Sequence, residues 1–272
     1  MSNRLRLSLL ALNLLGTACI GACQREGGEG QPASSPQLPT PARSVEPPGV
    51  PDRFVFRPEF QTTNGPVQAG TAFAILLPNL SRPVLLTAIH LLGPAGGLAQ
   101  AIPAAEVPRA VTQVSLEDCF DSSPLETFDA RAILIPDAAP LGSASKAGDL
   151  VAFWLPMDAA VHPARLARTN PKAGTKVWLA ASLVEGAPPS QRLHAATVRG
   201  IDEEGNIVYL FDNVRLSIRA TSGAPVLDSK GEVVAVNLGG YEENGMKFGL
   251  GNPIDRFRPH LESAATASSA KP

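Results

Sequence analysis

Beyond residue 53 the chain is cut into short apolar runs, and glycine, proline or a small polar cluster stops each one before a helix of ordinary length could form. Gly-Thr-Ala-Phe-Ala-Ile-Leu-Leu at 70–77 and Arg-Pro-Val-Leu-Leu-Thr-Ala at 82–88 read as two strands joined by a turn, Pro-Asn-Leu-Ser. Similar runs follow at 128–135, 149–155, 175–181, 192–198, 206–211, 225–227, 232–237 and 246–250. The stretch 98–115 alternates weakly, and Pro103 and Pro108 exclude a long helix there. A helix is expected only near 253–258, with Pro253 in its first turn, and residues 263–272 read as a frayed tail. Twenty-four glycines, 26 prolines and 5% aromatic residues suit many strands and turns. The pattern predicts an all-β sandwich or barrel, divided into halves near 160–172.

The first 22 residues read as an export signal. Arg4 and Arg6 precede an apolar run over 7–18 that is too short for a permanent membrane span. The run ends in Ile-Gly-Ala-Cys at 20–23, which resembles the lipobox of bacterial lipoproteins. The resemblance implies cleavage before Cys23, acylation of its thiol and, with Gln24 next, sorting to the outer membrane. Cys19 is the weaker candidate, because Gly16 stands where the motif wants a branched apolar residue. Residues 23–53 are rich in Gly, Pro, Ser, Gln and Glu and read as a disordered tether.

With Cys19 and Cys23 so used, Cys119 has no disulfide partner and reads as an inert thiol. A net charge of -2 argues against a nucleic-acid partner. His162, His194 and His260 lack ligand spacing and read as surface or cap residues, so neither a metal nor another cofactor is expected.

Three segments carry chemistry. Leu-Leu-Thr-Ala-Ile-His ends an apolar run at His90, Gly-Asp-Leu-Val-Ala opens another at Asp149, and Thr-Ser-Gly-Ala-Pro-Val exposes Ser222 on a turn. Asp129 also precedes an apolar run, but the downstream order of strand, linker, glycine turn and strand favours Asp149. A serine hydroxyl becomes a nucleophile when a histidine removes its proton and a carboxylate orients that histidine. The order His, Asp, Ser separates this chain from the subtilisin and α/β-hydrolase arrangements.

Read together, these segments resemble trypsin-like serine peptidases of the bacterial kind, over residues 54–257. The resemblance implies two antiparallel six-stranded β-barrels with a short C-terminal helix, the first over about 54–163 and the second over about 164–252 of a domain ending at 262. It places His90, Asp149 and Ser222 in a crevice between the barrels, with His90 Nε2 within about 3 Å of Ser222 Oγ. It gives the oxyanion to the backbone N–H groups of Ala220 and Ser222, and the substrate to Leu216, Asn237, Leu238 and Gly239. Ala220 departs from the family's glycine, and Leu216 stands where an acid would select Lys or Arg. The implied activity is a lipid-anchored endopeptidase acting on protein or peptide substrates. A catalytically silent peptide binder of the same fold and an unrelated β-barrel lipoprotein are the alternatives.

Overall fold

The computed structural model describes residues 45–78 and 80–269. The signal, Cys23 and the first part of the tether lie outside the described residues. The architecture is all-β, closed by one long helix.

The N-terminal half consists of β1 (Val55–Thr62), β2 (Gly65–Gln68), β3 (Ala72–Ile75), β4 (Val84–Thr87), β5 (Val111–Asp118), β6 (Pro124–Asp129), β7 (Ala132–Ile133) and β8 (Val151–Trp154). A four-residue helix, α1 (Val107–Ala110), precedes β5. The strands form one antiparallel sheet in the order β6-β5-β1-β3-β4-β8-β7, with β2 hairpinned onto β1. The two edge strands, β6 and β7, are separated along the chain by Ala130 and Arg131 alone. The sheet must therefore curl until its edges nearly meet, and chain continuity closes this half-barrel where a ladder of hydrogen bonds does not. Phe56, Pro58 and Phe60 of β1 point inward, while Arg57, Glu59 and Gln61 are half-exposed, as the two-residue period of a strand dictates. Neither β1 nor β2 stands out among the apolar runs, because Pro58 and Pro66 interrupt their pattern.

The C-terminal half is a closed six-stranded barrel, β9 (Lys176–Ala180), β10 (Leu193–Ile201), β11 (Ile207–Phe211), β12 (Pro225–Leu227), β13 (Val233–Glu243) and β14 (Met246–Pro253), in the order β10-β11-β14-β13-β12-β9. Each of these strands coincides with an expected run or extends it.

One apolar cluster joins the halves. It contains Phe54, Phe73 and Trp154 from the first, Leu227, Val233 and Val236 from the second, and Ile254, Phe257, Leu261 and Ala265 from α2 (Ile254–Ser269). Those four helical residues form one face at spacings of three and four. They carry the helix through Pro259 and well into the stretch expected to fray. Arg258 pins α2 to the linker between the halves, donating to the carbonyls of Ala167 at 2.9 Å and Arg168 at 3.2 Å. The folded body also begins earlier than expected. Pro48 is buried, Val50 packs on the shared cluster, and Asp52 pairs with Arg192 at 2.6 Å.

His194 is inside the second barrel and only 1% exposed, which corrects its reading as a surface residue. Its Nε2 bonds the Ala181 carbonyl at 2.9 Å, and burial holds its pKa below the ordinary histidine value. The folded state thus resists a proton that the unfolded chain accepts near pH 6.5. Above that pH the effect vanishes. Below it, down to the depressed folded pKa, stability falls by up to about 1.4 kcal/mol per pH unit. Denaturant titrations between pH 7 and 5 are expected to give a steeper loss for the native chain than for His194→Asn, and parallel losses would show that this histidine is not the source.

Candidate active site

The pairing of β4 with β8 dictates where His90 and Asp149 go. Thr87 lies opposite Val151 in an antiparallel register, so the chain leaving Thr87 and the chain approaching Val151 meet at the same end of the sheet. His90 sits on a single 3-10 turn, Ile89–Leu92, directly after β4. Asp149 follows Gly148, whose positive φ of 74° turns the chain into β8.

The two side chains touch. Asp149 Oδ2 is 2.6 Å from His90 Nδ1 and accepts the Leu141 backbone N–H at 2.8 Å, while Oδ1 accepts the His90 N–H at 3.1 Å. The carboxylate side chain is 1% exposed and the imidazole 15%. An ionised carboxylate only accepts, so it places the neutral ring's proton on Nδ1 and leaves the Nε2 lone pair free. That is the tautomer a general base requires.

Ser222 reaches this place from the second barrel. Its carbonyl accepts the Thr71 N–H at 2.8 Å, and Thr71 Oγ1 donates to the Ala220 carbonyl at 2.9 Å. Thr87 Oγ1 donates in turn to the Thr71 carbonyl at 2.7 Å. Leu238, whose carbonyl accepts the Ser222 hydroxyl at 3.2 Å, packs on Ala88 and Leu91, the neighbours of His90. The structure therefore brings Ser222 to the end of the sheet that carries His90. The expected Ser222–His90 hydrogen bond is not made, since the hydroxyl is turned to Leu238 and no hydrogen bond joins it to the ring among the described residues.

Ala220 adopts φ 60°, the left-handed conformation in which glycine is at ease and alanine costs about 1–2 kcal/mol. The turn before Ser222 is nevertheless secured, with Thr221 Oγ1 donating to the Ile218 carbonyl at 2.7 Å. Neither the Ala220 nor the Ser222 N–H donates to a protein acceptor among the described residues. Both remain available to a ligand.

The residues expected to bind substrate divide. Leu216 is 2% exposed in the core of the second barrel. Asn237 is fully buried beneath the serine turn, donating from Nδ2 to the Thr221 carbonyl at 2.8 Å and to Thr221 Oγ1 at 3.0 Å. The Tyr209 hydroxyl donates to Asn237 Oδ1, and the tyrosine's own burial pushes its pKa up. Asn237 thus supports the turn and does not face a cleft. Leu238 is buried with its carbonyl turned to Ser222, and Gly239 alone of the four is partly open to solvent. A cavity of about 270 Å³ opens beside Ala220, bounded also by Gly70, Thr71, Arg57, Ser182 and Val184. Cys119 is buried at the margin of that cavity, accepts the Ser182 N–H at 3.4 Å and has its pKa raised by burial, so it is a poor nucleophile. Among the described residues no cluster of His, Cys, Asp and Glu could hold a metal.

Thr71, Thr87 and Tyr209 are functional supports that sequence reasoning passed over. Both threonines stand inside the motifs Gly-Thr-Ala-Phe and Thr-Ala-Ile-His, but the Thr71 hydroxyl acts across the barrel seam and the Thr87 hydroxyl braces Thr71 from behind, partnerships to which no spacing could point.

No family model and no curated protein matches this chain. Solved structures do. The chain is similar to a thermostable serine protease, AL20, from an extremophilic microorganism, with a TM-score of 0.53, 15% identity, and 79% of this chain and 97% of that one covered. It is similar to the serine endoprotease from Yersinia pestis, with a TM-score of 0.50 and 12% identity over 79% of this chain and 63% of that one. The HtrA-type protease AlgW gives a TM-score of 0.50 and 14% identity, with 79% and 60% covered. The chain thus spans less than two thirds of the latter two. The fold is that of the trypsin-like serine proteases.

Gly223 tests the seam. A Cβ there would collide with the Thr71 carbonyl and Thr87 Oγ1, and its φ of 87° disfavours any other residue. Gly223→Ala is expected to cost about 2–4 kcal/mol in denaturant titrations, whereas Gly97→Ala, where a Cβ meets nothing, measures the backbone contribution alone. Equal losses in the two variants would dissociate the serine turn from the seam.

Proposed function

We propose that the chain is a serine endopeptidase in which Ser222 attacks the peptide carbonyl, His90 Nε2 takes the proton and later gives it to the leaving amine, and Asp149 holds the ring. The observation that carries this reading is the 2.6 Å contact between His90 Nδ1 and a carboxylate sealed from solvent, in a fold whose solved neighbours are serine proteases. A sealed, hydrogen-bonded Asp orienting a partly exposed His costs desolvation, and a structural role for the pair gives no reason to leave Nε2 open. The free N–H groups of Ala220 and Ser222 are the proposed oxyanion donors, each contributing about 3 kcal/mol to the transition state. Buried Leu216 leaves no acid to select a basic side chain, so small or apolar residues before the scissile bond are the proposed preference.

Rotation of Ser222 about its Cα–Cβ bond would exchange the Leu238 carbonyl for His90 Nε2. A substrate strand beside Leu238 would supply an N–H to that carbonyl and release the hydroxyl. The second reading, a silent peptide binder, is favoured by this parked hydroxyl together with the strained Ala220. We further propose that the protein is exported and held at the outer membrane by acyl chains on Cys23. Loss of palmitate labelling and of membrane partitioning in Cys23→Ala is the expected result, and retention of either would remove the anchor.

A fluorophosphonate probe is expected to label the native chain and to leave Ser222→Ala unmodified, while absence of labelling in a folded native chain would favour the silent binder. Asp149→Asn is expected to lower kcat by roughly 10⁴-fold through the wrong tautomer, with KM little changed. Ala220→Gly should speed labelling and add about 1 kcal/mol of stability as the left-handed strain is relieved. A faster reaction without a gain in stability would locate the effect in the oxyanion donors and not in strain.

A further inference from the structure

A second cavity, of about 460 Å³, is bounded by Arg82 and Ser81 before β4, Arg131 between β6 and β7, Trp154 at the end of β8, and Ser268 and Ser269 at the end of α2. None of these residues belongs to the site around Ser222. The volume falls within the roughly 300–1,000 Å³ usual for small-molecule sites.

Its walls are set with care. Arg82 Nε donates to the Leu155 carbonyl at 2.6 Å, and its guanidinium lies 5.5 Å above the Trp154 ring. Trp154 Nε1 is itself fixed on Ser268 Oγ at 3.1 Å. Arg82 is thereby held rigid by its inner nitrogen and its flat face, and among the described residues its two outer amino groups meet no acceptor. Arg131 makes no side-chain hydrogen bond among them either. No carboxylate forms an ion pair with either arginine among the described residues.

Two guanidinium groups that face one cavity with no carboxylate paired to either among the described residues repel each other. Burial and the charge of Arg131 both push the Arg82 pKa down, yet arginine keeps its proton. The end of α2 contributes about half a negative charge, which offsets a quarter of the two positive ones. What remains calls for a dianion with several acceptor oxygens. A carboxylate brings one charge and two oxygens; a phosphate monoester brings nearly two charges and three oxygens.

We propose that this cavity binds a phosphate monoester, with Arg82 and Arg131 as the charge partners and the serine hydroxyls as further donors. The group could be carried by a soluble metabolite-sized molecule or by a lipid headgroup, and both present the same oxygens. The inference is independent of the Ser222 reading.

The test is calorimetric titration of the full-length chain with glycerol phosphate at constant ionic strength, beside sedimentation with phosphatidylcholine vesicles containing phosphatidic acid or, at equal charge, phosphatidylglycerol. Saturable binding of glycerol phosphate is expected, weakened about tenfold or more in Arg82→Gln/Arg131→Gln. Preference for phosphatidic acid, lost in the same variant, would identify a lipid source; binding of the soluble ester without it, a free one. Each vesicle result is read as native minus variant, so any lipid anchor cancels. Should the double variant lose its native circular dichroism, Arg131→Gln alone serves, because Arg131 is exposed and supports no other side chain. The proposal is overturned if neither probe binds saturably, or if binding survives unchanged in a folded Arg131→Gln chain.

Discussion

The serine turn is fixed to the first half through its backbone, the carbonyl of Ser222 accepting the N–H of Thr71. Around it Thr71 Oγ1 reaches the Ala220 carbonyl and Thr87 Oγ1 reaches the Thr71 carbonyl, so three successive bonds tie the serine turn to β3 and β4. Because β4 continues within three residues to His90, any shift of the turn is a shift against the imidazole. Groups contributed by distant parts of the chain can act together only if their supports are locked at sub-ångström precision, and short polar bonds across an interface do this better than apolar contacts. Gly223 is the condition for that lock, since the approach leaves no room for a side chain.

Apolar packing does a different job. The cluster shared by β3, β4, β8, β12, β13 and α2 supplies adhesion between the halves but little directional information. Helix α2 lays Ile254, Phe257, Leu261 and Ala265 across it, which explains why a stretch of weak helical appearance near its end stays ordered. Pro259 is tolerated because the carbonyl it leaves unpaired, that of Asp255, belongs to an exposed residue in the first turn. Burial, not propensity, sets the length of this helix.

The same division explains what could be read in advance. The strands of the second barrel were legible because each presents an apolar run between turn residues. In the first half, β1 and β5 were harder, since Pro58 and the polar positions of 111–118 mask their alternation until burial is known. His90 and Asp149 were legible because both end or open apolar runs, and the register of β4 against β8 brings them together. Asn237 reads from the sequence as a cleft residue and is instead a buried strut, because a polar residue after Val-Ala-Val gives the same signal for either role. Leu216 likewise reads as pocket or core until its neighbours are known. His194, a histidine in an alternating strand, carried no sign that its face is the inner one.

Ala220 is where these considerations meet. An alanine held at φ 60° costs about 1–2 kcal/mol against glycine. The bonds from Thr71 Oγ1 to its carbonyl and from Thr221 Oγ1 to Ile218 are each worth about 1 kcal/mol net, enough to offset that strain. The methyl group points to solvent at an exposed position, so it adds no collision to the conformational cost. The alanine thus keeps the left-handed conformation that suits glycine, at a higher energy. Losing an oxyanion donor would cost more, about 3–4 kcal/mol of transition-state binding. On these magnitudes the strain at the alanine is a cost to folding that the threonine bonds offset.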